Sequence, residues 1–143
     1  MENFRLFENG GEYPEGVLPM CYPSEMQDDG KFIPQWTMWY ILEVADYVTN
    51  RGHGNDREKF RKSVYGLLDF YSRYENADGL LEKLPSWNFV EWSRANNWTQ
   101  DVNYPTNFLY AEVLRCVGRL FGDRAAGEKA EKVALETVRQ SFD

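Results

Sequence analysis

From Trp36 to Val48 only Thr37, Glu43 and Asp46 are neither apolar nor aromatic. A helix this apolar on every side must be wrapped by other elements. The run is IPQWTMWYILEVADYVTNRG, in which Pro34 suits the first helical position and Gly52 the stop. After HGND a helix of another kind is expected, opened by Asn55 and Glu58 in capping-box spacing. Its apolar residues, Phe60, Val64, Leu67, Leu68 and Tyr71, make one stripe, and Lys59, Arg61, Lys62 and Asp69 lie off it.

The same order then recurs. A third helix is expected from near Pro105, PTNFLYAEVLRCVGRLF, with Glu112, Arg115 and Arg119 as its polar minority. Gly122-Asp123 makes a tight turn with Asp123 as N-cap. The fourth helix runs roughly from Arg124 to Ser141, with Ala130, Val133, Ala134 and Val138 as a narrow stripe and Lys129, Lys132, Glu136 and Arg139 as its wet face. The short turns, RGHGND and FGD, lie about 70 residues apart, a weak repeat of architecture more than of identity. Short turns imply antiparallel helical hairpins. An inner apolar helix paired with an outer one-faced helix suits a curved, two-layer array, whereas a four-helix bundle uses four similar, singly striped helices. The expected class is all-α, in one domain spanning residues 1–143.

Two long connections remain. Residues 1–33 are rich in Gly and Pro and read as mostly irregular, apart from a short helical turn near Phe4–Glu8. Residues 77–103 open with DGLLEKL, a short strand or turn, and continue as LPSWNFVEWSRANNW. Trp87, Trp92 and Trp98 stand five and six residues apart, which fits neither one helical face nor strand alternation. If the short turns share one end of the hairpins, both long loops share the other. The N-termini of the inner helices are there too, bringing Gln35, Trp36, Tyr104, Thr106 and Asn107 to the same rim. Long loops on a rigid scaffold are where binding usually resides.

Composition narrows what that rim can bind. A formal charge of -7 and a pI near 4.8 repel nucleic acid and anionic membrane. No apolar run reaches membrane-spanning length, and MENFRLFENGGEYPEG has no apolar core of a leader. His53 is the only histidine, so neither a histidine triad nor a zinc cluster can be built from this chain, and no metal or cofactor is implied. Cys21 and Cys116 have no metal or redox spacing. They allow one disulfide, while the apolar helical run around Cys116 favours two buried thiols.

A neutral sugar is indifferent to the acidic field. Indole rings cover the apolar C–H face of a pyranose, and Asn, Gln, Asp or Glu take its hydroxyls. Trp92 with the adjacent Glu91, and Trp36 at the rim, are the residues best suited to this. The plain alternative is that each tryptophan plugs the core. Glycoside cleavage needs two carboxyl groups across a sugar. Asp28–Asp29 reads as a solvated turn, Glu43 with Asp46 as a hydrogen-bonded pair or outer rim, and Glu91 with Asp101 has no distinguishing context; none is assigned as a catalytic acid. GHGN lacks the lysine of a phosphate loop and reads as a turn. Asn97-Trp98-Thr99 fits the glycosylation acceptor pattern, and Arg57, Lys59, Arg61 and Lys62 read as a solvated face.

The segments LPMCYPSE, KFIPQWTMWYILEVADYV, WNFVEW and NFLYAEVLRCVGRLFGD resemble the catalytic domain of bacterial α-L-rhamnosidases, six-hairpin glycosidases with an (α/α)6 toroid. The resemblance covers nearly the whole chain but only the middle of that domain. It implies a fragment of an inverting hydrolase acting on a terminal rhamnose or similar sugar, with Trp36, Trp92 and, more loosely, Glu91 in the wall of the sugar pocket. Family members carry the general acid in an Arg-Asp-Glu type segment upstream and the general base downstream. No such segment occurs here, so the fragment alone is expected to be inactive, and Glu91 stands where many relatives have Asp. A cut toroid exposes apolar faces, which predicts self-association. The compartment, bacterial cytoplasm or beyond it, is not indicated. Two other readings stand beside this one. Another α/α-toroid carbohydrate enzyme, of glucuronyl hydrolase or epimerase type, would want a basic pocket, and Arg94 is the lone arginine in residues 77–103. A non-enzymatic helical-hairpin module would use the aromatic loop for a protein partner.

Overall fold

A computed structural model describes residues 3, 4, 6, 17–19, 32–99 and 101–142. Its helices are α1 (Pro34–Thr49), α2 (Arg61–Ser72), α3 (Tyr104–Phe121) and α4 (Arg124–Ser141). A 3-10 helix, Gly54–Phe60, leads into α2, and another, Arg94–Trp98, lies in the long loop. The fold is all-α; among the described residues the extended pairings are two isolated antiparallel bridges, Glu75 with Leu81 and Glu82 with Val102. These bridges are what DGLLEKL forms. Asn76 organises that turn, its side-chain oxygen accepting from the Asp78 and Leu80 amides at 3.0 Å each. Asn3, Phe4 and Leu6 are helical, and the rest of the turn expected near Phe4–Glu8 lies outside the described residues. The expectations for Cys21 and Asp28–Asp29 lie outside the described residues.

Local signals set most helix ends. Pro34 opens α1, where a missing N–H costs nothing, and the chain leaves through Asn50 and a left-handed Gly52. Asn103 caps α3 by accepting from the Thr106 amide at 2.9 Å. Gly122 ends α3 at φ 67°, a conformation that favours glycine, and Asp123 caps α4 through the Ala126 amide at 3.0 Å. The capping box expected at Asn55 and Glu58 is not formed. No side chain caps the 3-10 helix there, and Glu58 instead takes the Arg61 guanidinium at 2.6 and 3.0 Å. The tighter 3-10 turn carries the chain round before the α-helical stripe begins.

The expected division into inner and outer helices is present. α1 buries nine of its 16 residues and α4 only four of its 18. α1 packs against α3, and α4 lies along α3. The α3–α4 approach is close because Gly118 faces Gly127. A Cβ at Gly118 would meet the Gly127 backbone nitrogen at 3.1 Å. The buried stripe of α4 is Ala126, Ala130, Val133 and Thr137, so Val138, expected in it, is instead exposed together with Leu135 and Phe142. The stripe drifts because 3.6 residues per turn carries position 138 off the line set by 126, 130 and 133. The continuous core joins Met38, Ile41 and Val44 of α1 to Val64, Leu67 and Tyr71 of α2 and to Tyr110, Val113 and Val117 of α3.

The two ends of the hairpins are also sorted as topology demands. The start of α2 meets the Gly122-Asp123 turn, where Tyr65 donates to Asp123 at 2.8 Å. At the other end the start of α1 meets the end of α2: the Tyr71 hydroxyl donates to the Pro34 carbonyl at 2.7 Å and also contacts the Thr37 hydroxyl. Burial pushes the Tyr71 phenol far above its ordinary range, so it stays a neutral donor. No helix among the described residues is long and apolar enough to cross a membrane.

Candidate functional site

The long-loop end is built on buried amides. Gln35, the residue after Pro34, is buried and uses its whole head group. Its Nε2 donates to Asn88 Oδ1 at 3.1 Å and to Thr106 Oγ1 at 3.0 Å, and its Oε1 accepts from the Phe89 amide at 3.1 Å. Asn107, fully buried in α3, accepts from the Leu81 amide at 2.7 Å and donates to the Leu81 and Asn103 carbonyls at 3.0 Å. Asn96 holds the tip, accepting from the Val90 amide at 2.7 Å and donating to the Asn88 carbonyl at 3.0 Å. The Phe32 amide donates to Ser86 Oγ at 2.9 Å, and the Trp87 amide returns to the Phe32 carbonyl at 3.2 Å. A loop without regular structure must satisfy its backbone somehow, and here side chains from both inner helices do it. Gln35, Thr106 and Asn107 thus do reach one rim, but they hold the loop and do not face a ligand.

With the polar groups turned inward, the aromatic ones face out. Trp92 is 84% exposed and Trp98 82%. Trp87 is 43% exposed, so none of the three plugs the core. Leaving such area in water forgoes about 25 cal/mol for each Å² that burial would remove. Trp92 leans on Phe89 with centroids 4.7 Å apart and on Trp87 at 6.1 Å. Phe89 in turn meets the edge of Trp36 at 6.5 Å, with the rings perpendicular. Trp36 and Trp92 therefore belong to one aromatic cluster joined through Phe89. Among the described residues Trp98 makes no ring contact with it.

Beside this cluster α1 opens a cavity of about 410 Å³. Trp36, Trp39, Tyr40 and Glu43 line it from α1, and Phe4, Leu18 and Pro19 from the N-terminal residues. Trp36 and Trp39 are 41% and 54% exposed, which departs from the expectation of a helix buried on most sides. Positions 36, 39, 40 and 43 share one helical face, so the outward face of the apolar helix forms a hollow. Trp39, Tyr40, Glu43 and Phe89 were not assigned to a sugar pocket from the sequence, where Glu43 figured only beside Asp46 as a hydrogen-bonded pair or outer rim. The helical spacing of the first three was the available signal; Phe89 had none.

The carboxylates divide clearly. Glu43 stands in the cavity wall. Asp46 takes Asn50 at 2.8 Å and Arg51 at 2.9 Å, so it does not pair with Glu43; these two partners hold its carboxyl below the usual range, a poor state for a proton donor. Glu91 accepts from the Ser93 amide at 2.9 Å and contacts the Ser93 hydroxyl, folding its own turn next to Trp92. Away from this rim, Cys116 is a half-buried free thiol between Glu112 and Arg119, each 3.4 Å away, and burial raises its pKa.

No family model and no curated protein matches the sequence. Among solved structures, a GH78-family rhamnosidase of Bacillus sp. GL1 is similar, with a TM-score of 0.59 and 23% identity over 76% of this chain. The match spans 11% of that protein's length. An aromatic cluster, an indole-lined cavity and a buried-amide scaffold are therefore carried on an all-α fold like a small part of a GH78-family rhamnosidase.

Proposed function

We propose that the chain is a single-domain portion of a glycoside hydrolase that supplies part of the wall of a sugar-binding pocket. The observation that carries this is the indole-lined cavity beside the Trp36–Phe89–Trp92 cluster, on a fold like part of a rhamnosidase. A terminal rhamnose presents a methyl group and C–H faces that suit indole, and hydroxyls that suit Glu43 and Glu91. Trp36 forms the inner platform, and Trp92 with Glu91 the loop side. Each Glu91 oxygen retains acceptor capacity beyond its Ser93 bonds.

The parent reaction is inverting hydrolysis, in which a carboxylate activates water and a carboxylic acid protonates the leaving oxygen. Those groups are assigned to polypeptide outside these residues, within a toroid of which this chain is one part, so the 143-residue chain binds without turnover. Leu135 and Val138, exposed on α4, and Phe142 just past its end support self-association of the isolated chain.

Titration with L-rhamnose followed by tryptophan fluorescence tests the reading, alongside release of chromophore from an aryl α-L-rhamnoside. A saturable fluorescence change without chromophore release is expected. Silence with every sugar, together with a response to peptides, would replace the reading with that of a protein-interaction module.

A further inference from the structure

Two helices keep an exposed stripe on the side turned away from α3. On α1 it is Trp36, Trp39 and Glu43, spaced by three and four. Ala45 and Thr49, which border a groove with Cys116 and Leu120 of α3, lie across that helix from it. On α4 it is Leu135 and Val138, continued by Phe142 just past the helix end and again spaced by three and four. Ala130 and Val133 take the opposite, buried side. Both stripes lie at the long-loop end. The end of α2 holds the start of α1 through the Tyr71–Pro34 bond, and Gln140, near the end of α4, donates to Asp78, just past α2, at 3.0 Å. Counted from that end, α1 presents Trp36, Trp39 and Glu43, and the antiparallel α4 presents Phe142, Val138 and Leu135. First and last are separated by about 10 Å in each, at about 1.5 Å per residue. The charges match as well. Glu43 closes the aromatic part of one stripe, and Lys132, one turn before Leu135, closes the apolar part of the other. Among the described residues neither is in an ion pair.

We infer that a second copy of this chain covers the α4 stripe with the outward face of its own α1, its indoles on Phe142 and Val138 and its Glu43 at Lys132. The copies then stand side by side with no shift along the helix axes, continuing the order in which α1 already packs on α3. Because the two faces differ, the contact is heterologous and repeats from copy to copy. It needs no sugar and stands apart from the reading above. The α1 stripe also walls the cavity, so L-rhamnose and the second copy compete for it; this competition alone rests on that reading.

Sedimentation of the full 143-residue chain from about 10 µM to about 1 mM tests this. Wild type is expected to associate beyond the dimer as concentration rises. Trp39→Glu and Val138→Glu, both at exposed positions, should each weaken association about tenfold or more alone. Mixed in equal amounts they should form a dimer and stop there, since each keeps the face the other has lost. Glu43→Lys should also weaken association, and Lys132→Glu added to it in the same chain should restore it. If Trp39→Glu associates alone as wild type does, α4 pairs with α4 and the inference fails. It fails equally if the mixture stays monomeric or if wild type is monomeric throughout. Saturating L-rhamnose is expected to shift wild type towards monomer. L-rhamnose that calorimetry shows bound, yet that leaves association unchanged, would place the contact elsewhere and overturn the inference. If L-rhamnose does not bind, the sugar-binding reading fails and the mixture alone decides this one.

Discussion

Where the short turns meet, Tyr65 donates to Asp123, the Arg61 guanidinium lies 4.5 Å from the Phe121 ring centroid, and Gly122 and Asp123 end one helix and start the next. At the long-loop end Gln35, Asn88, Asn96 and Asn107 are turned inward on backbone groups and the indoles are left outside. The first end uses local capping and ring contacts, and its polar side chains reach water. The second places amides in the interior and aromatic surface in water, the reverse of what stability alone would select. Such an inversion is expected of a region shaped for binding, with the buried amides as the cost of holding a non-helical loop still.

The comparison is sharpest at Gln35. Gln35→Ala leaves the Phe89 amide and Asn88 Oδ1 without their partner, at about 1–3 kcal/mol for each orphaned group. It should produce the largest loss of stability in urea unfolding, and the Trp36–Phe89 contact should loosen with it. A loss below about 0.5 kcal/mol would mean that the loop is not held in the way described.

At the turn end the strongest effect should come from packing. Gly118→Ala places a methyl group 3.1–3.2 Å from the Gly127 backbone and Asp123 carbonyl, and should destabilise by about 1–3 kcal/mol. Gly127→Ala meets nothing within 4 Å and lies inside α4, so it should stabilise by about 0.5–1 kcal/mol. Thermal melts of the pair read the sign difference directly.

Asp123→Ala removes a helix cap and should cost about 1 kcal/mol. The Ala126 amide first, then the Tyr65 hydroxyl, hold this carboxyl below its ordinary 3.8. A depressed folded-state pKa makes the contribution fully present above the ordinary value and lost as pH falls through the lowered one. The difference between wild type and variant should therefore be constant from pH 6 to about 5 and shrink towards pH 2. The smallest effect is expected at Trp92→Ala, within about 0.5 kcal/mol because the side chain is already in water.

How much was legible in the residues follows the same division. The turn end could be read because its signals are local. Gly122 and Asp123 stand beside the helix ends they set, and α4 runs from Arg124 to Ser141 as expected. Local reading failed where one neighbour captured a group first, as Arg61 does with Glu58, and at Val138, where the stripe drifted off the packed line. At the loop end the residue types and their convergence were legible from topology, and the resemblance pointed to Trp36 and Trp92. Their arrangement was not. Gln35 bonds to partners 53, 54 and 71 residues away, and nothing in LPSWNFVEW marks Asn88 as buried while its neighbours face out. Long-range pairings of short polar side chains have no periodicity to read. The cavity was half legible, since Trp36, Trp39 and Glu43 share a helical face, but an apolar helix is ordinarily taken as core.

The most direct measurement is a two-dimensional NMR titration of the chain with L-rhamnose, following the five tryptophan indole N–H signals. The account predicts saturable shifts of Trp36 and Trp39, a smaller shift of Trp92, and no change in backbone amides near Gly122 and Asp123. Shifts spread evenly over both ends, or none at Trp36 and Trp39 with saturating sugar, would contradict it.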